Sequence, residues 1–204
     1  YNFCISYKDY ETYKRDGANV DKLLVCPNGA QHRDYHFTEK PLKPSWTLYL
    51  GRIEPRKRQY LYQDIYGVEF VGKYTDTTSF DRNKDCYLGQ WEHEYKLQHV
   101  TDYGNMMLLS DGENGTPLVI KEALVAGLGV VVSKYAAHDL DTSLPFVTVI
   151  PDDKWEDIEY VQMKLIENRK ISVTMRKEIR QYGVDNFSWQ KLVKTYVENI
   201  EGME

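Results

Sequence analysis

Two cations follow an apolar run near the middle of the 204-residue chain. Arg52 and Lys57 come directly after residues 46–50, which we predict to be a strand, so both lie in or just after a strand-to-helix turn. Ligands of open parallel sheets bind outside the carboxyl ends of the strands. Arg52 and Lys57 are therefore candidates for neutralising the phosphates of a nucleotide.

A second segment predicts a helix start that can hold an anion. Gly115, Thr116 and Pro117 precede an apolar run that begins at Leu118, and proline near the first helical position marks a helix start. The free backbone N–H groups there, together with the helix dipole, attract an anion such as a diphosphate. Glu122 falls one to two turns into this helix, where a carboxylate can accept hydrogen bonds from a ribose diol.

The same residues also have a plain structural interpretation. Arg52 and Lys57 would be solvated loop charges, and Glu122 would be a surface helix residue. Spacing alone favours neither interpretation, because neither fragment is a specific motif in isolation.

The order of several short motifs along the chain separates the two interpretations. Gly51, Arg52 and Ile53, with Lys57 five residues after Arg52, precede a predicted helix. Further motifs lie, in chain order, at residues 25–30, 68–72, 87–89, 106–110 and 187–189. In order and spacing these segments resemble the C-terminal, donor-binding half of a GT-B glycosyltransferase, and they are most similar to the large retaining family four.

The resemblance implies a fold and a set of donor-site residues. The fold would be α/β, a Rossmann-like parallel sheet flanked by helices that forms one lobe of a GT-B architecture. Arg52 and Lys57 would stabilise the charge that develops on the departing diphosphate of a nucleoside diphosphate sugar. The loops at residues 72–74 and 89–91 would flank the base. The donor-binding residues would be Gly51, Arg52, Lys57, Gly72, Gly89, Gly115, Thr116, Pro117, Leu118 and Glu122.

One position departs from the family pattern. The family has two glutamates separated by seven residues, whereas eight residues separate Glu113 from Glu122 here. When Gly115 is aligned with the family's glycine, the first glutamate position holds Asn114. The family's first carboxylate lies near the transferred sugar and its second binds the ribose, so Glu122 carries over. Two alternatives stay open at the sugar: a one-residue bulge brings Glu113 there, or Asn114 takes over as a neutral hydrogen-bonding group.

The resemblance also implies a reaction and its partners. The reaction would be metal-independent, retaining transfer of a sugar from a nucleotide-sugar donor to an acceptor, without a cofactor. The acceptor would be bound by an N-terminal lobe of the same enzyme or of another chain, because this chain starts at Tyr1 without a methionine and is about half the length of such an enzyme. The alternative is a non-catalytic nucleotide-sugar or protein-binding module that keeps the lobe's fold.

Composition argues against several other classes of protein. A net charge of −5, without a long basic run, gives no sign of nucleic-acid binding. Cys4, Cys26 and Cys86 are odd in number and far apart, which predicts neither a disulfide framework nor a zinc cluster and favours a reducing, cytoplasmic compartment. No stretch approaches the apolar length of a membrane span.

Metal binding is not predicted. Asp139 and Asp141 have the Asp-x-Asp form that binds a divalent metal in a different glycosyltransferase fold. Here the side chains of Arg52 and Lys57 already provide the positive charge beside the diphosphate that a metal would otherwise provide. The histidines lack a third ligand at metal spacing.

The predicted elements position these residues in a single α/β domain over residues 1–204, with 42% hydrophobic residues to form its core. Residues 1–45 would be a lead-in segment and linker, with 31–45 exposed, 46–170 the core and 171–204 the C-terminal helices. Asp153 and Glu156 form a capping-box pattern before an amphipathic helix that starts near Ile158, and two more helices are predicted at 173–182 and 189–200. The predicted strands are residues 2–5, 23–26, 46–50, 68–71, 86–88, 105–109, 129–132 and 146–150.

Overall fold

The computed structural model describes residues 1–75 and 79–202. Within these residues the chain forms seven strands and six α-helices. The strands are β1 (Asn2–Cys4), β2 (Leu23–Val25), β3 (Lys43–Leu50), β4 (Val68–Val71), β5 (Tyr103–Leu108), β6 (Gly129–Ser133) and β7 (Val147–Ile150). The helices are α1 (Tyr7–Arg15), α2 (His93–His99), α3 (Leu118–Val125), α4 (Ile158–Thr174), α5 (Arg176–Phe187) and α6 (Trp189–Glu201).

Strands β3 to β7 form one parallel sheet in the order β4-β3-β5-β6-β7. Leu48 on the third strand pairs with Glu69 on one side and with Met106 on the other. Every residue of β4, β5 and β6 is buried, as expected for a parallel sheet that helices cover on both faces. This architecture confirms the predicted α/β class with a Rossmann-like parallel sheet.

Strands β1 and β2 form a separate two-stranded parallel sheet, connected by α1. The Ser6 hydroxyl caps α1 by accepting a hydrogen bond from the backbone N–H of Asp9 at 3.1 Å. After β2 the chain passes Ala30, whose N–H donates to the carbonyl of Phe187 and whose carbonyl accepts from the N–H of Trp189. These hydrogen bonds tie the linker to the junction of α5 and α6.

Two predictions for the loops are wrong. The strand predicted at 86–88 is reduced to a single parallel bridge between Phe70 and Tyr87, beside which the N–H of Phe70 donates to the carbonyl of Cys86 and the N–H of Leu88 to the carbonyl of Phe70. The segment at 31–45 is not simply an exposed link, since Tyr35 is buried and β3 already begins at Lys43.

The helix boundaries also differ from the predicted ones. The predicted helix at 173–182 spans the junction of α4 and α5, and α5 continues through Gly183, where a Cβ atom would lie 2.5 Å from the carbonyl carbon of Leu124. Glycine there allows α5 to approach α3 closely. The N-cap of α4 is Asp157, not the predicted Asp153. The Asp157 carboxylate accepts a hydrogen bond from the N–H of Tyr160 at 3.1 Å. Across the described ranges no helix has the length and apolar content needed to cross a membrane.

Candidate functional site

The loops after β3 and β5 bring the two predicted motifs together. These strands are neighbours in the sheet and run parallel, so the loops that follow them start at the same edge. Lys57 ends a 3₁₀ turn, Pro55–Lys57, in the first loop, and Glu113 lies in the second. The Nζ atom of Lys57 lies 3.1 Å from Oε1 of Glu113, and both side chains are largely buried.

The Glu113 carboxylate is held by more than one cation. Nη1 of Arg56 lies 3.0 Å from its Oε1 atom. Burial acts to raise the pKa of Glu113, but the nearby Ser110 hydroxyl and the charges of Lys57 and Arg56 outweigh it, so this pKa is lower than usual. Glu113 is therefore ionised at neutral pH. Of the two alternatives for the first glutamate position, the structure brings Glu113 to the cations.

Arg52 is the most exposed cation of this group. Its side chain is 63% exposed, and Nη1 lies 3.8 Å from Oε2 of Glu54. Glu54 also pairs with Arg56 at 3.1 Å, so one carboxylate lies between two arginines. Because its ion pair is long and exposed, the Arg52 side chain can turn towards a ligand at little cost.

Three glycines predicted for the donor site converge at the adjoining ends of β3 and β4. Gly72 has φ of +152°, and a Cβ atom there would lie 2.0 Å from the carbonyl oxygen of Gly51. The N–H of Gly72 donates to the carbonyl of Gly89 at 2.9 Å. At Gly72 the backbone therefore passes the end of β3 with no room for a side chain, which keeps the loops after β3 and β4 close together at the edge of the sheet.

The start of α3 contains an unpredicted carboxylate. Pro117 is the N-cap of α3, as the sequence indicated. The N–H of Thr116 donates to Oδ2 of Asp139 at 3.2 Å, and the N–H of Asp139 donates to the Thr116 hydroxyl at 3.0 Å. Asp139 therefore occupies part of the anion-attracting helix start. In the ranges 1–75 and 79–202, no cluster of three potential ligand side chains could hold a metal ion.

A cavity of about 190 Å³ adjoins this helix start. It is lined by Ile5, Asn28, residues 113–118 and Lys121. Lys121 is buried and donates to the carbonyl of Asn28 at 3.1 Å. Burial lowers the pKa of Lys121, and the nearby Asp139 acts in the opposite direction. Lys121 was not predicted as a site residue, although a lysine inside the apolar run of α3 was a signal.

Glu122 is buried, so its interpretation as a surface helix residue is wrong. Oε1 of Glu122 lies 2.8 Å from Nζ of Lys96 on α2, and both side chains are largely buried. The other oxygen, Oε2, is buried and has no hydrogen-bond partner among the described residues. Lys96 was not predicted, because nothing in its spacing indicates a partner 26 residues away.

Solved structures with the same fold are glycosyltransferases and related enzymes. HepE (Alr3699) of Anabaena, solved with UDP-glucose, matches 98% of this chain and 63% of its own at a TM-score of 0.74 and 14% identity. A sucrose-phosphate synthase of Thermosynechococcus elongatus matches 98% of this chain and 57% of its own, at a TM-score of 0.74 and 17% identity. The lipopolysaccharide outer core galactosyltransferase WaaB matches 100% of this chain and 62% of its own, at a TM-score of 0.72 and 16% identity.

These likenesses define the class of fold. The chain is a Rossmann-like α/β unit of the kind found in GT-B glycosyltransferases. It spans 63%, 57% and 62% of the three neighbouring chains, which is less than two thirds of each. No protein-family model matches the sequence, and comparison with curated proteins finds no match.

Proposed function

We propose that this chain is the donor-binding domain of a glycosyltransferase similar to retaining family four. It binds a nucleoside diphosphate sugar, and the sugar passes to an acceptor with retained configuration and without a metal. The acceptor is bound by a second lobe, supplied by the same enzyme or by another chain. HepE, a neighbour in fold, was solved with UDP-glucose, with UDP and with UDP and glucose, which supports a uridine nucleotide as the first donor to test.

The observation that carries the proposal is the contact between Lys57 and Glu113. The two residues are 56 positions apart, and their side-chain atoms meet at 3.1 Å at the carboxyl ends of β3 and β5. Ligands of open α/β sheets bind in this location. The contact supports one site formed by both sequence motifs, because it joins one residue of each motif at the edge where such ligands bind.

In the proposed site the cations bind the leaving group. Arg52 and Lys57 neutralise the charge that develops on the departing diphosphate, which is electrostatic stabilisation of the transition state. The backbone N–H groups near Leu118 at the start of α3 also bind the diphosphate. The Asp139 carboxylate takes up one of the N–H groups at this helix start, that of Thr116. The loops that begin at Gly72 and Gly89 flank the base.

Glu122 binds the ribose, and residues 113–114 lie near the transferred sugar. Lys96 fixes one oxygen of Glu122, which leaves the other free to accept a hydrogen bond. The transferred sugar lies beside Glu113 and Asn114, both of which line the cavity of about 190 Å³ at the start of α3. No general base is assigned to this lobe, since in the family the leaving phosphate itself largely manages retention at the face between the lobes.

Calorimetric titration tests donor binding. The chain is titrated with UDP, GDP and ADP and with their glucose conjugates, in parallel with Glu122→Ala. We expect one nucleotide to bind with micromolar to millimolar affinity and to lose most of that affinity in the variant. Glu178→Ala, an exposed position at the start of α5, is the control and keeps the original affinity.

Two results would count against the proposal. If no nucleotide binds at millimolar concentration, the donor site is refuted for this chain. If a nucleotide binds equally well to wild type and Glu122→Ala, the site lies elsewhere and the ribose assignment is refuted.

A second candidate is a binding module without catalysis. The position aligned with the family's first glutamate holds Asn114, and Glu113 is engaged by Lys57 and Arg56. These features favour a site that binds a donor and does not transfer its sugar. Sugar transfer or donor hydrolysis by the protein together with its acceptor lobe would exclude this candidate, and donor binding without turnover would support it.

A further inference from the structure

A second, smaller cavity lies beside α3. Its volume is about 140 Å³, and Tyr35, His93, Leu118, Glu122 and Trp189 are among the residues that line it. Tyr35 and Glu122 are 4% and 7% exposed. The hydroxyl of Tyr35 and Oε2 of Glu122 are both buried and lack a hydrogen-bond partner within the part of the chain that the structure describes.

Two such atoms beside one cavity require an explanation. An unsatisfied buried polar atom destabilises the folded state, and almost all buried polar groups in proteins are paired. The cavity has room for about five water molecules at liquid density, or for one pentose ring. Water or the hydroxyl groups of a ligand can therefore satisfy both atoms.

The chemistry of the pair suits a diol. Lys96 holds Oε1 of Glu122 at 2.8 Å and so fixes the orientation of the carboxylate, whose Oε2 atom can only accept hydrogen bonds. Burial raises the pKa of Tyr35 most, followed by the charge of the Glu122 carboxylate and by a loose contact of the Tyr35 hydroxyl with that carboxylate, so the hydroxyl stays protonated and can donate. A fixed acceptor beside a donor matches two neighbouring hydroxyl groups, each of which donates and accepts.

We propose that Tyr35 and Glu122 together bind the two ribose hydroxyls of the nucleotide, and that Tyr35 makes the site select ribonucleotides over 2′-deoxyribonucleotides. The inference rests on the proposed donor function and adds a specificity residue to it. Tyr35 lies in the linker between β2 and β3, outside the motifs that the sequence analysis singled out. Lys96 acts through Glu122 and is a positioning residue.

The test compares each nucleoside diphosphate with its 2′-deoxy counterpart. UDP, GDP and ADP and their 2′-deoxy forms are titrated by calorimetry into wild type and Tyr35→Phe. We expect wild type to prefer the ribose form by about tenfold, because the deoxy form leaves a buried group unpaired. The preference for the ribose form should fall to about threefold or less in Tyr35→Phe. The ribose form loses its hydrogen bond to the Tyr35 hydroxyl in this variant, whereas the deoxy form has no such bond to lose.

The control is Tyr103→Phe. Tyr103 is buried, its hydroxyl bonds Glu69, and it begins β5 at the edge of the sheet opposite the site. This variant should lose stability and keep the wild-type preference for ribose. Thermal unfolding curves recorded for both variants establish that each is folded at the temperature of titration.

Each outcome decides something definite. An unchanged preference in Tyr35→Phe overturns the proposal and means that the Tyr35 hydroxyl pairs with Glu122 or with buried water only. Equal binding of ribose and deoxy forms by wild type overturns it without any variant, even if Tyr35→Phe fails to fold. Absence of all nucleotide binding refutes the donor function itself, which is distinguishable from failure of the Tyr35 assignment alone.

Discussion

Lys57 and Glu113 form an ion pair of 3.1 Å between the two loops that we assign to the donor diphosphate. Glu113 also lies 3.0 Å from Arg56, so one carboxylate pairs with two cations. A diphosphate that binds Lys57 must therefore compete with Glu113. Under the proposed function, this relationship would make Glu113 a determinant of nucleotide affinity as well as a candidate contact for the transferred sugar.

Replacing Glu113 with glutamine should tighten binding of the free nucleoside diphosphate. The change removes the competing charge while it keeps the shape of the side chain, and an ion pair of this kind is worth about 1 kcal/mol, or about fivefold in affinity. We expect the dissociation constant for the nucleotide that binds wild type to fall by about that factor. Calorimetric titration measures it.

The matched control for this charge change is Glu178→Gln. Glu178 is exposed in the first turn of α5, which starts at the edge of the sheet opposite the site, so its removal changes the net charge equally and should leave affinity unaltered. Weaker binding by Glu113→Gln would contradict the competition and indicate that Glu113 supports the nucleotide directly.

The pH dependence of stability should also depend on Glu113. Its folded pKa is lowered, so its ionised form stabilises the folded state above the usual value of 4.5, and this contribution is lost as pH falls through the lower folded pKa. Wild type should therefore unfold at higher urea concentration than Glu113→Gln at about pH 7, and the difference should shrink below about pH 4.5. A difference that stays constant down to about pH 3 would exclude this linkage.

Alanine at Arg52 should weaken nucleotide binding by about tenfold or more. A charge-assisted contact to phosphate is lost, while the folded chain loses only a long ion pair of 3.8 Å with Glu54. Arg52→Lys should restore part of the affinity, since a lysine keeps the charge and loses the bidentate geometry. Lys164→Ala, on the outer face of α4, serves as the control. Unchanged affinity in Arg52→Ala would refute the assignment of Arg52.

The sequence predicted what depends on local pattern. The apolar runs of β4, β5 and β6 and the helix start at Pro117 follow directly from periodicity and from proline geometry. The order of motifs also assigns Arg52 and Glu122 to one donor site, which stays a prediction. Local patterns succeed here because a buried parallel strand and a helix cap each depend on a few consecutive residues.

The polar pairs of the site could not be predicted in this way. Lys96 reaches Glu122 from α2, and Asp139 reaches Thr116 from the loop after β6. Each pair joins elements distant in sequence, so no spacing rule identifies the partner. The burial of Tyr35 was missed for the same reason, because the linker packs against residues that follow much later in the chain.

The close approach of the loops after β3 and β4 can be tested by two glycine substitutions. In Gly72→Ala the new Cβ atom would lie 2.0 Å from the backbone oxygen of Gly51, and φ of +152° is itself strained for alanine, so the backbone must move. We expect a loss of about 3 kcal/mol or more in the free energy of unfolding, together with loss of nucleotide binding.

Gly89→Ala is the matched comparison, because its φ of +75° is also left-handed but its Cβ would meet no atom within 4 Å. It should lose only about 1 kcal/mol, since the strain is conformational without a clash. Urea unfolding of both variants measures the difference, and equal losses would show that the contact between Gly72 and Gly51 does not constrain the site.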